Sequence, residues 1–172
     1  MPTIYRSPYP DLDIKSVDLV SYLFSNPLNT PLDRPIYINA ISGEQYTLGD
    51  VMQRTRSLSN GLRQTIGIKP NDVVALFSPN TIDYPVVCHA IVGSRAIVAP
   101  TSAALTALEL NAQLKTSGAR FIIVHSSLLE TATKAAKGTS IEKIVLIDGQ
   151  TPVNGQPTCN HLASTFAPGE FL

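Results

Sequence analysis

The sequence predicts an α/β domain with a three-layer, mainly parallel, doubly wound sheet. Three observations carry this reading. Short runs rich in β-branched residues recur between positions 73 and 148 ("VVALFS", "IVAP", "FIIVHS", "KIVLID"), the pattern of strands buried on both faces. Stretches with helical apolar spacing separate them. Small polar residues mark the junctions, where helices start and stop. Alternation of this kind builds parallel sheets with helices on either side.

The elements follow in order. Residues 1–35 form a Pro-rich entry segment holding one short helix over 17–25, begun near Asp18 and stopped by Asn26-Pro27. Residues 36–47 read as a hairpin about Ser42-Gly43-Glu44. Thr47 to Asp50 caps a helix over 48–66, whose stripe of Val51, Leu58, Leu62 and Ile66 ends at Gly67. A strand over 73–78, a helix over 82–95 and a strand over 97–100 come next. Thr106 and Glu109 form a capping box that opens a helix to 117, and Ser117-Gly118 ends it. A strand over 121–125 leads to a second expected box, Ser127 with Glu130, and a helix to 137. The strand over 143–148 closes the α/β unit, which spans 36–150. Residues 151–172 read as irregular, with a short turn near 161–166 and Cys159 in an exposed loop.

Bulk properties narrow the function. The 172 residues, 44% of them apolar and 15% charged, suffice for one domain with a core. Thirteen basic side chains balance thirteen acidic ones and stand singly, which argues against nucleic acid as a partner. No apolar run is long enough to span a membrane, and the first residues lack the core of a secretion signal. Cys88 and Cys159 make no disulfide framework, so a reducing, cytoplasmic setting is expected, with the peroxisome as the alternative.

An open parallel sheet binds ligands at the carboxyl ends of its strands. Here those ends are Ser78 to Thr81, Thr101 to Ala103, His125 to Ser127, and Asp148 to Gln150. None carries a Gly-rich dinucleotide fingerprint or a P-loop. Lys137-Gly138-Thr139-Ser140 has the tail of a P-loop but precedes a strand instead of following one. His89 lies mid-helix among apolar neighbours beside Cys88, as core residues do, and no set of metal ligands accompanies it. His125, at a strand end beside two serines, could serve a small hydrolase, but no orienting acid and no nucleophile elbow are apparent.

The order of motifs is more specific than any one of them. "SPN-x-x-DYP" after a strand, then "AIVAP", then "TALELNAQLKTSGARFIIV" resembles the N-terminal part of the adenylate-forming superfamily. Within that superfamily the chain is most similar to 4-coumarate–CoA ligases and related acyl-CoA synthetases, over about residues 4–150. The resemblance implies an enzyme that joins a carboxylic acid to CoA through an acyl-adenylate, using ATP and Mg, in a chain about three times as long. The family's phosphate loop, adenine and acyl motifs and catalytic Lys fall beyond the matching part. No catalytic residue carries over, and the chain alone is expected to be inactive.

CoA could still be touched at the nucleotide end by Thr101, Ser102 and Ala103, and by Ser126 and Ser127. The first of these loops departs from the family's Asn-Pro-x-aromatic-Thr pattern. The expected partner is the remainder of a ligase chain. Failing that, the chain self-associates through the 82–95 helix, which is apolar nearly all round (Ile82, Val86, Val87, Cys88, Ala90, Ile91, Val92). A stand-alone interaction or CoA-nucleotide-binding module is the alternative function.

Overall fold

The structure is a computed structural model, and it describes residues 5, 7–12, 16–152 and 155–168. Its elements are α1 (Leu19–Phe24), β1 (Pro35–Ile38), β2 (Gln45–Thr47), α2 (Leu48–Gly61) continued by a π-helical turn (Leu62–Ile66), β3 (Val73–Phe77), α3 (Tyr84–Gly93), β4 (Ile97–Thr101), α4 (Ala107–Ser117), β5 (Phe121–Val124), a 3-10 turn (Ser126–Leu128), α5 (Leu129–Ala135), β6 (Lys143–Leu146) and α6 (Cys159–Thr165).

β3 to β6 form one sheet in the order β4-β3-β5-β6, with every pairing parallel. β1 and β2 form a separate antiparallel hairpin. The strands are buried on both faces, as their unbroken apolar runs require. Alternation sends Val74 and Leu76 to one face and Ala75 and Phe77 to the other. On the first face lie α1, α2, α3 and α6, through Phe24, Leu58, Leu62, Ile91 and Leu162. On the second lie α4 and α5, through Leu110, Leu114, Ala132 and Ala135. The three expected layers are therefore present.

Local chemistry explains where the helices begin and end. Thr47 and Asp50 cap α2 reciprocally, and Thr106 and Glu109 do the same for α4. Asp18 accepts the Ser21 N–H at the start of α1. The π turn closes on Gly67 at φ 86°, where a side chain would be strained, and Lys143 Nζ donates to the carbonyl of Ile66 at 2.9 Å.

Three expectations are corrected. Ser127 and Glu130 do not form a capping box. His125 caps a 3-10 turn through its ring, and Glu130 instead pairs with Lys134 at 2.7 Å. The chain near 161–166 is a helix rather than a short turn, and its first residue, Cys159, is buried rather than exposed. Seven residues give too short a repeat to show in the sequence. What stabilises them is α2, where Gly61 lets Leu162 and Phe166 approach closely. Finally, α3 presents no exposed face: all of its residues are buried or half-buried beneath α1 and α2. An all-round apolar helix is the mark of an interior, and this chain supplies the interior itself.

Candidate functional site

The helix after β3 crosses to one face of the sheet, while those after β4 and β5 cross to the other. Loops diverging in this way open a crevice beside the carboxyl end of β3, the usual ligand position in an open sheet. Thr101 to Ala103 flank it at the end of β4, and His125 to Ser127 flank it at the end of β5. Two strand spacings, about 10 Å, separate the groups.

Most of these side chains already have partners. Thr101 is buried, and its hydroxyl donates to the Leu76 carbonyl at 3.1 Å, tying β4 to β3. The hydroxyl of Ser102 accepts the Ala104 N–H at 3.3 Å, which leaves its own proton available. Ala103 offers no side-chain polar group.

Ser126 donates its N–H to Asp148 Oδ1 at 2.7 Å and its hydroxyl to Oδ2 at 2.5 Å. A carboxylate of the chain thus occupies the place where a phosphate would accept the same two donors. The Nδ1 atom of His125 accepts the Ser127 N–H at 3.2 Å and lies 2.8 Å from the Ser127 hydroxyl. An accepting Nδ1 assigns the proton of the neutral ring to Nε2. That nitrogen faces Asp148 Oδ2 at 3.7 Å, a charge contact rather than a hydrogen bond.

Ser127, His125 and Asp148 therefore form a line in which a hydroxyl faces a base and the base faces an acid. The orienting acid that the sequence did not reveal is Asp148, at the end of the neighbouring parallel strand. Ser126 and Ser127 are nevertheless exposed, whereas nucleophilic and charge-stabilising groups act strongly in sites that exclude water. The hydrolase reading gains an acid and still lacks an enclosed site.

The other residues singled out are structural. The His89 ring packs at 6.0 Å from Phe24, and its Nδ1 is shielded without a partner. Burial holds this imidazole below its ordinary pKa, against a smaller opposing effect of the nearby Pro85 backbone. Burial likewise raises the thiols of Cys88 and Cys159. Gly138 sits in a left-handed turn, and Thr139 donates to the Ala136 carbonyl at 2.7 Å, so this segment ends α5 and cradles nothing. Among the described residues, no three His, Cys, Asp or Glu side chains converge as a metal site. No helix of the described residues is long and apolar enough to cross a membrane.

A polar cleft of about 230 Å³ lies between α2 and α6 and was not legible in the sequence. Arg54 is its centre: the guanidinium lies 4.4 Å over the Tyr46 ring and donates to Asn160 Oδ1 at 3.3 Å. Tyr46 in turn donates to Asp83 at 2.8 Å, and burial raises its phenol pKa, with the Asp83 hydrogen bond adding to the effect. The set ties the hairpin, α2, α3 and α6 together.

The family model described as "AMP-binding enzyme" matches residues 23–166. A long-chain-fatty-acid–CoA ligase of Salmonella typhimurium is 34% identical over 124 residues, covering 72% of this chain and 22% of its own length. The 4-coumarate–CoA ligase 3 of Arabidopsis thaliana is 31% identical over 160 residues, covering 91% of this chain and 27% of its own. Among solved structures, a long-chain-fatty-acid–CoA ligase of Archaeoglobus fulgidus superposes with a TM-score of 0.84 at 19% identity, over 98% of this chain and 34% of that one. A benzoate–CoA ligase of Burkholderia xenovorans gives 0.77 at 22% identity, over 89% and 29%. The chain thus spans only about a quarter of the length of the curated relatives it matches.

Proposed function

The chain belongs to the AMP-binding enzyme family, and from that premise we propose that it is the N-terminal portion of an acid–CoA ligase. Such a ligase would activate a carboxylic acid with ATP and Mg and pass the acyl group to CoA. The observation that supports this most is the match over residues 23–166 together with the small share of each relative that is covered. The segment's part is architectural: it supplies a four-stranded parallel sheet with both faces covered.

The residues present do not fit ATP or Mg. No Gly-rich loop follows a strand, and Asp148 already fills the Ser126 donors. No chemical step is therefore assigned to this chain, and alone it lacks ligase activity. Purified protein is assayed for acid-dependent exchange of pyrophosphate into ATP and for acyl-CoA formation. Neither is expected, because the charge that develops on the α-phosphate has no preorganised donors here. Acid-dependent AMP release by the 172-residue chain would overturn the reading.

The available Ser102 hydroxyl favours a second reading, a non-catalytic module that holds the nucleotide end of CoA at the loop after β4. In that reading Thr101 and Ala103 shape the loop, while Ser126 and Ser127 contribute only after releasing Asp148 and His125. Titration with CoA decides it: binding that is lost in Ser102→Ala supports the module, and no binding removes it.

A further inference from the structure

The cleft between α2 and α6 carries more polar groups than the fold uses. Its walls come from α2, from α6 and from the loop after β6, and Ala163 is the only apolar residue among the described residues that line it. Some of the polar groups hold the structure. Arg54 is fixed by the Tyr46 ring and Asn160 Oδ1, and Asp83 stands 4.0 Å from its Nη1. Asp50 commits Oδ2 to the backbone and hydroxyl of Thr47.

The other groups are idle. Among the described residues, nothing pairs with the side-chain amides of Gln53 and Gln150, with Asn160 Nδ2 or with Asp50 Oδ1. Ser57 is the sharpest case. It lines the cleft and is only 2% exposed, yet its hydroxyl makes no hydrogen bond to any described residue. A serine within a helix commonly satisfies its hydroxyl on the carbonyl one turn back, and this one does not. A buried hydroxyl without a partner costs free energy until one arrives.

Charge and shape define that partner. Asp83 already offsets the charge of Arg54, and Asp50 lies one turn away on the same wall, so an anion would meet repulsion. A cation would meet the Arg54 guanidinium. An apolar molecule would leave the idle amides unpaired. A neutral molecule that both donates and accepts suits all of them, and hydroxyl groups do both. Five of the eight described lining residues (Asp50, Gln53, Arg54, Gln150 and Asn160) end in a planar pair of polar atoms, a fork that can take two neighbouring hydroxyls together. The volume of about 230 Å³ lies below the about 300–1,000 Å³ of drug-sized sites, which limits the ligand to roughly the size of a monosaccharide.

We infer that the α2–α6 cleft binds a small neutral polyhydroxy compound, a short polyol or a monosaccharide. Ser57 and the amides of Gln53, Gln150 and Asn160 are its hydrogen-bonding groups, and Asp50 Oδ1 accepts one more hydroxyl. The inference stands apart from the ligase reading, since it uses no ATP, CoA or acid and no residue at the ends of β4 or β5.

The test follows the side-chain NH2 signals of Gln53, Gln150 and Asn160 by NMR while glycerol, D-ribose and D-glucose are added in turn to the 172-residue chain. At least one should shift these signals along a saturable curve, with half-saturation in the millimolar range expected of ligands this small. Ser57→Ala and Gln150→Ala should each weaken that binding about 5-fold, the usual effect of one neutral hydrogen bond. Neither substitution removes a hydrogen bond of the fold, so melting should stay unchanged. Shifts that rise linearly with all three compounds, or that persist undiminished in both variants, are a solvent effect and overturn the inference. Saturable binding of acetate or glycine, titrated alongside, would assign the cleft to charged ligands and overturn it as well.

Discussion

Arg120 grips both carboxylate oxygens of Asp72 through Nη1, at 2.8 and 2.9 Å. The rest of the same guanidinium holds Glu142, with Nε at 2.6 Å and Nη2 at 2.9 Å. One side chain thus bridges the entrances of β3, β5 and β6 and fixes their register at the end opposite the candidate site. Arg120→Leu should lower the urea midpoint and speed amide exchange at residues 73, 121 and 143. Arg120→Lys should restore only part of the loss, because an ammonium cannot reproduce the fork. Added salt should shrink the difference between the two variants. Equal midpoints for all three proteins would remove this role.

Gly61 is where α6 docks. A Cβ there would meet Leu162 Cβ at 2.9 Å and Phe166 Cδ2 at 3.1 Å. Alanine gains up to about 1 kcal/mol of helix propensity, but overpacking a close contact costs about 1–3 kcal/mol. Gly61→Ala should therefore destabilise, with loss of exchange protection over 159–165 first. A more stable variant with α6 protected would show that the contact yields.

The two serine/threonine helix starts should respond differently. Thr106→Ala deletes a hydroxyl that accepts the Glu109 N–H and donates to its carboxylate, so a loss of about 1 kcal/mol is expected. Ser127→Ala deletes a hydroxyl that touches only the His125 ring, since the cap there is the imidazole. Its effect on the urea midpoint should be markedly smaller. The reverse ranking would restore the capping box expected at Ser127.

Acid should weaken the fold in two stages. Burial depresses the pKa of His89, so the unfolded chain takes up this proton first. Its effect is absent above about pH 6.5, and stability falls as pH drops below that value, by at most about 1.4 kcal/mol per pH unit. The depressed carboxyls of Asp18, Asp50, Glu109 and Glu142 act later: their contribution is full above their unfolded values and is lost below about pH 4. His89→Leu should flatten the first stage and leave the second. Identical slopes for both proteins between about pH 6.5 and 5 would exclude His89 as the cause.

Much of this architecture is legible in the sequence, because local signals and tertiary demands agree. Val73 to Phe77 and Phe121 to Val124 are apolar throughout and end up buried on both faces. Thr47 with Asp50 and Thr106 with Glu109 declare their helices within four residues. The misreadings lie where distant residues decide. Near Cys159 only the N-cap Thr158, whose hydroxyl accepts the His161 N–H at 3.1 Å, announces a helix, and the rest is decided by Gly61 on α2, which Leu162 and Phe166 approach. Nothing near His125 announces Asp148, since only parallel pairing of β5 with β6 brings them side by side. The apolar surface of α3 invited a partner from outside because nothing local shows that α1 and α2, both legible as helices, pack over it.

The joint between α2 and α6 also bears on how the chain is made. Arg54 and Asn160 touch across 106 positions of sequence. During synthesis α2 leaves the ribosome long before the segment that completes its packing exists. The half-made protein can pair β3 with β4 and β5 early, yet it must carry the Arg54, Ser57 and Gly61 side of α2 uncovered until residues 159–166 emerge. Molecular chaperones or slow translation through 100–150 would have their greatest effect in that interval.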